Sequence, residues 1–223
     1  MRSAGLAAVL ARIRAAEIAH GRAPGSVGLL AASKQQNPET IRAAAAAGQR
    51  AFGENYVQEA LPKMAALRDL DLSWHFIGRI QRNKTRDIAA HFDWVHTLDR
   101  LDIARRLSAQ RPADRAPLQV LVEINVSGET SKAGIAPEAV AAFAAALREL
   151  PGLALRGLMC LPAPEEEFER QRAPFARLRG LLADLGDPAI DTLSMGTSSD
   201  LEAAIAEGAT IVRVGTAIFG ARA

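Results

Sequence analysis

The stretch GLLAASKQQ, residues 28–36, runs apolar from Leu29 to Ala32 and then delivers Ser33 and Lys34. A primary amine at the mouth of a desolvated pocket can lose its proton and attack an aldehyde. Lys34 is therefore either that nucleophile or an ordinary solvated charge. Two later stretches bear on the choice. SMGTSSD (194–200) and VRVGTAIFG (212–220) put Ser194, Gly196, Thr197, Ser198, Gly215 and Thr216 around two strand ends. Glycines let backbone N–H groups approach an anion closely, and helix N-termini add donors and a favourable dipole. Each alone reads as a turn or a cap; together they read as a phosphate cradle. A reactive lysine beside a phosphate cradle suggests a phosphorylated aldehyde, and pyridoxal 5'-phosphate (PLP) is the biological candidate. Arg213 is a third part. It interrupts the β-branched run TIVRVG, where Val212 and Val214 point the other way. A charge there needs a partner. The pyridine nitrogen of PLP is one, and a carboxylate such as Glu123 is the other.

Something must bring these residues together. Short apolar runs fall at 26–33, 50–54, 72–78, 93–98, 118–126, 155–161, 191–196 and 210–215, separated by alanine-rich helical patterns. NPETIRAAAAAG has Asn37 as a cap, Pro38 at the first helical position and Gly48 at the end. APEAVAAFAAALREL and SSDLEAAIAEG repeat that grammar. Every strand but the last is followed by a helix. Repeated βα units imply parallel strands with helical crossovers. The fold class is α/β, a single (β/α)8 TIM barrel over residues 1–223 with an extra helix in front. That helix should bury Leu6, Val9, Leu10, Ile13 and Ile18. A doubly wound sheet is the runner-up, weakened because no GxGxxG follows the first strand. In a barrel the unusual residues all fall at the C-terminal face, where such folds place their sites.

Bulk properties narrow the classes. The chain has 223 residues, 49% of them hydrophobic and 23% charged, with net charge +2. That excess is too small for nucleic-acid binding, and Arg12, Arg14, Arg105, Arg106, Arg177 and Arg179 read as solvated helix faces. Arg12, Arg14 and Glu17 interrupt the N-terminal run and argue against a signal peptide. No apolar stretch is long enough to span a membrane. The single cysteine, Cys160, reads as a buried small hydrophobe and suits a reducing compartment. The expectation is a cytoplasmic, monomeric protein without a metal site. His20, His91 and His96 read as structural or surface residues. His75 is divided between pocket and core, and Lys132 reads as a loop lysine rather than a second cofactor contact.

The motifs AASKQQ, FGENYVQE, WHFIGRIQRNK, VEINVSGETSKAG, LRGLMCLP and SMGTSSDLEAAIAEGATIVRVGTAIFG together resemble the YggS/PROSC family of PLP homeostasis proteins. The resemblance runs from the first strand to the C-terminus. Thr197 departs from it, standing where methionine is usual, and Arg79 and Arg82 make GRIQRNK unusually basic. The resemblance implies a PLP-bearing barrel similar to the N-terminal domain of alanine racemase. It implies that Lys34 forms the internal aldimine and that Arg213 faces the pyridine nitrogen. Ser194, Gly196, Gly215 and Thr216 would hold the phosphate, and Asn55 and His75 would line the ring pocket. Arginine at the ring nitrogen leaves that nitrogen unprotonated and weakens the ring as an electron sink. Racemisation also needs acid/base groups on both faces of the substrate. The chain offers one tyrosine, Tyr56, and no further domain after the eighth strand. The expected function is therefore to hold PLP and to buffer it or deliver it to PLP-requiring apoenzymes without robust catalysis. The alternative is an amino-acid racemase with Tyr56 or His75 as second base.

Overall fold

In the computed structural model, which describes residues 2–129 and 132–220, eight strands close into a barrel in chain order. They are β1 (Gly28–Ala32), β2 (Ala51–Glu54), β3 (Ser73–Phe76), β4 (Trp94–Leu98), β5 (Leu118–Glu123), β6 (Leu153–Met159), β7 (Thr192–Ser194) and β8 (Ile211–Val214). Every neighbouring pair is parallel, β8 with β1 included. Parallel strands need crossovers. These are supplied by α2 (Pro38–Ala46), α3 (Val57–Ala66), α4 (Thr85–His91), α5 (Leu101–Gln110), α6 (Val140–Arg148), α7 (Phe168–Asp184) and α8 (Leu201–Ala206). The helix α1 (Arg2–Ala19) precedes the barrel.

Local chemistry accounts for the boundaries. Asn37 Oδ1 accepts from the Thr40 N–H at 2.9 Å, Pro38 opens α2, and Gly48 beyond its end has φ +97°. Phe52, Ile41, Ile88, Phe92, Leu107 and Phe175 are fully buried in one continuous core between barrel and helices.

Two details differ from the sequence pattern. The eighth strand is also followed by a helix, the single turn α9 (Thr216–Phe219). And Ile18 is 71% exposed, whereas Leu6, Val9 and Ile13 are buried. Those three follow each other at spacings of three and four residues along one stripe, and Ile18 lies about 140° round the helix from Ile13. The buried stripe packs α1 against α8 and α9. Arg12 pins it to Glu202 of α8 at 2.9 Å. At Gly5 any Cβ would meet the carbonyl oxygen of Ile218 at 2.7 Å, so only glycine lets α1 approach α9 this closely. Among the described residues, no helix is long and apolar enough to cross a membrane.

Candidate functional site

The C-terminal mouth of the barrel holds a cavity of about 510 Å³, with residues from all eight strand ends on its wall. Lys34 arrives from β1. Ser33 N–H donates to Gly53 O at 2.9 Å and extends the ladder to the residue before Lys34. Gln35 then takes a left-handed φ of 63°, the one non-glycine residue with positive φ among those described. That conformation costs about 1–2 kcal/mol and turns the chain away just past Lys34. The Lys34 side chain lines the cavity, half-buried, and its amine meets no hydrogen-bond or ion-pair partner among the described residues.

Arg213 arrives from β8, which pairs directly with β1. It is 7% exposed. Its Nη1 donates to Ser194 O and Ser194 Oγ, both at 2.7 Å, and Nη2 donates to Cys160 O at 2.9 Å. No carboxylate pairs with it among the described residues, and burial lowers its pKa. Its three protein partners are neutral oxygens, and the rest of its donor fork has no protein acceptor among those residues. Ser198, Gly215 and Thr216 line the adjoining stretch of wall. Asn55 follows β2 directly, and its Oδ1 is buried without a partner among the described residues. A free amine, a cation held by neutral oxygens, a hydroxyl- and glycine-rich wall and an orphaned amide oxygen suit one kind of guest. It would carry an aldehyde for the amine, a basic acceptor for the guanidinium and an anionic group for the loops.

The chain matches the family described as alanine racemase, N-terminal domain, over residues 7–223. It is 62% identical over 217 residues to the pyridoxal phosphate homeostasis protein of Pseudomonas aeruginosa, covering 97% of this chain and 94% of that one. This chain belongs to the pyridoxal phosphate homeostasis (YggS/PROSC) family. Among solved structures, PipY of Synechococcus elongatus PCC7942 with PLP bound superposes with a TM-score of 0.84 at 37% identity, covering 99% of this chain and 100% of that one. Alanine racemase of Corynebacterium glutamicum shares the fold at a TM-score of 0.67 and 19% identity, covering 97% of this chain and 62% of that one.

Within this homeostasis-family barrel, three of the expected residues, His75, Ser194 and Gly196, do not line the cavity. His75 stacks on Trp94, with ring centroids 5.4 Å apart and planes 3° apart, and is 4% exposed. The reason is depth: Gly78, three residues further along, is what reaches the mouth. Ser194 is fully buried beneath the wall, between Arg213 and His96. Gly196 is buried behind the wall too, where a Cβ would meet Ala204 Cβ at 2.6 Å. Thr197 lines the cavity, but its N–H and Oγ1 both donate to Asp200 Oδ1, at 2.6 and 2.8 Å, which leaves Ser198 as the freer hydroxyl of that loop. Lys132 pairs with Glu129 at 3.1 Å and does not line the cavity. Cys160 is buried, and burial pushes its thiol up to about 12.

The same family site has residues that the sequence pattern passed over. His96 lines the wall. Its Nδ1 meets Ser194 Oγ at 2.9 Å and its Nε2 meets His75 Nδ1 at 2.9 Å; His75 Nε2 meets Ser73 Oγ at 3.1 Å. Burial holds both imidazoles neutral, His75 at about 3 and His96 well below the usual histidine value. The position of His96 in the C-terminal half of DWVHTL was the available signal. Behind Lys34, Lys63 Nζ donates to Ser33 O at 3.0 Å and to both oxygens of Glu54 at 2.9 Å. Ser33 Oγ donates to Glu54 at 2.6 Å. This buried network fixes the ends of β1 and β2, and so the base from which Lys34 projects.

Glu123 ends β5 on the cavity wall and forms no ion pair with Arg213. Burial, aided by Asp99, raises its carboxyl to about 7 against the pull of Arg213 and Arg79. Its folded pKa thus lies above the unfolded value. The resulting stability is fully present below pH 4.5 and is lost as pH rises through 7. Glu123→Gln should flatten that loss, worth on the order of 2 kcal/mol. Urea unfolding at pH 5 and pH 8 checks it; equal slopes in both proteins refute it. Gly78 makes a separate prediction. A Cβ there would overlap the Asn55 backbone carbonyl, and Gly78 O already accepts from Thr97 Oγ1 at 2.6 Å. Gly78→Ala should cost about 1–3 kcal/mol by the same unfolding measurement.

Proposed function

We propose that this chain binds PLP, with Lys34 as the covalent anchor, and serves PLP homeostasis by holding the cofactor rather than by turning substrate over. The observation that carries the reading is the meeting, in one cavity, of the unpartnered Lys34 amine with an Arg213 guanidinium that no described carboxylate neutralises. PLP supplies an electrophilic aldehyde and a conjugated ring when bound. Lys34 offers the amine. Arg213 donates toward the ring nitrogen and, as a permanent cation, keeps a proton off it. Ser198, Gly215 and Thr216 offer donors for the phosphate, and Asn55 an amide for the ring substituents. Ser194 fixes the guanidinium, and the neutral His96 walls the ring.

The fit also supports holding over turnover. The two second bases considered for a racemase are not on the wall: His75 is in the core, and Tyr56 is 54% exposed outside the cavity lining. Both ring nitrogens of His96 are engaged. The reading extends to a cytoplasmic monomer that passes PLP to PLP-requiring apoenzymes; light scattering on the purified chain tests the monomer. The deciding experiment is absorbance of the purified protein with PLP, then borohydride reduction and peptide mapping. Visible-region absorbance with the label on Lys34 is expected. A colourless protein, or label spread over other lysines, overturns the reading. Incubation with single L-amino acids in deuterated buffer tests turnover, and PLP-dependent exchange at Cα together with loss of chirality would establish the racemase alternative.

A further inference from the structure

The β3–α4 connection and the first two residues of α4 carry the sequence RIQRNKTR, residues 79–86, with four cations and no carboxylate. Arg79, Arg82 and Arg86 are exposed and Lys84 is half-buried. None of the four forms an ion pair among the described residues. Several other surface arginines sit on carboxylates, among them Arg42 on Asp69, Arg148 on Asp187 and Arg156 on Asp191. The two acids near Arg79 at the strand ends do little to neutralise it. Asp99 is already paired with Arg100 at 3.1 Å, and Glu123 titrates near neutrality. Only Asp87, half-buried, follows the stretch in the chain.

Position gives this charge a use. Arg79 is itself on the cavity wall. In the closed barrel β3 lies four strands from β7, so Arg79 stands across the mouth from Ser198 and the β7 loop, and Arg82, Lys84 and Arg86 follow it within seven residues of chain. They are therefore badly placed to seat a phosphate held at that loop, yet well placed to be felt by one entering. Exposed charges act over roughly 10 Å at 0.1 M salt, and a cleft rimmed by one sign raises the on-rate of an opposite ion.

Building on the PLP-binding reading, we propose that Arg82, Lys84 and Arg86, with Arg79, form an electrostatic collar that speeds capture of a phosphomonoester dianion into the cavity. The collar acts on association. Retention belongs to Lys34, Arg213 and the β7–β8 loops.

The test is stopped-flow absorbance of the full chain, freed of PLP, mixed with PLP at several salt concentrations. The association rate constant of the parent should fall ~10-fold between about 20 and 300 mM salt. The triple variant R82Q/K84Q/R86Q should associate ~5–10-fold more slowly at low salt, with a flat salt dependence. Its dissociation rate, absorbance spectrum and borohydride label on Lys34 should match the parent. R82K/R86K keeps the charge and should keep the parent rate. Pyridoxal, which lacks the phosphate, should associate at one rate with all three proteins. An unchanged rate and salt slope in the triple variant overturns the collar, as does a slowing equal for pyridoxal and PLP. A parent protein that neither absorbs nor takes label on Lys34 overturns the PLP reading itself, and the collar with it.

Discussion

Lys34→Ala protein, mixed with PLP and reduced with borohydride, should carry no covalent cofactor. The chain has four lysines, at 34, 63, 84 and 132. Of these, Lys34 alone lines the cavity. Lys63 is bound to three acceptors in the Glu54 network, and Lys132 is paired with Glu129. Lys84 ends the 3-10 turn before α4 and does not line the cavity. No second amine stands ready to replace the first. PLP affinity should fall on the order of 100-fold, about 2.7 kcal/mol, and not to zero, because Arg213 and the Ser198–Thr216 wall remain. Stability of the PLP-free protein should change by less than about 0.5 kcal/mol, since the Lys34 amine holds nothing together. That combination, label lost and fold kept, separates an anchor from a structural lysine. Equal labelling of the variant would move the anchor elsewhere.

The largest effect on the fold should come one layer deeper. Lys63→Met removes the cation from Glu54, which is fully buried. Stripping one partner from a buried pair costs about 3–5 kcal/mol, or on the order of 10 °C in Tm for a chain of this size. The penalty has a pH signature. Burial already holds the Glu54 carboxyl above its ordinary value, with Ser33 and Lys63 opposing. Without Lys63 the folded pKa climbs further, because the one cation that favours the charged carboxylate is gone. The cost is then least below the unfolded value of 4.5 and grows as pH rises. Thermal unfolding at pH 5 and pH 8 should show the larger deficit at pH 8. Lys63→Met/Glu54→Gln should recover much of it, because the charge left unpaired is the cause. A deficit independent of pH would mean that packing, and not the ion pair, is what Lys63 supplies.

Much of this architecture was legible without coordinates, and particular residues say why. Alternation of apolar runs with capped helices is local information. Asn37, Pro38 and Gly48 act on their own turns, so the βα grammar and the eight strands could be read directly. Lys34 and Arg213 stood out because a charge at the end of, or inside, an apolar strand is anomalous within its own few residues. What the sequence could not rank was depth. His75 and His96 are both imidazoles in barrel strands, yet one is buried under Trp94 and the other walls the cavity. Ser194 and Ser198 are four residues apart, yet the first braces Arg213 from behind and the second faces the cavity. Strand periodicity fixes the face a side chain points to. The height at which it meets the mouth depends on the stagger of neighbouring strands and is set only when the barrel closes.

The sequence by itself determined the fold class and singled out the strand-end lysine, the in-strand arginine and the kind of ligand they suit, because each rests on residue type, local order and the motifs these make together. Tertiary structure decided which partners surround them: Glu54 and Lys63 behind Lys34, Ser194 and Cys160 around Arg213, Glu123 on the open wall. Those partners come from strands far apart in the chain, and their burial exists only in the closed barrel. Burial is what turns an ordinary carboxyl, imidazole or guanidinium into a group with a defined charge and direction.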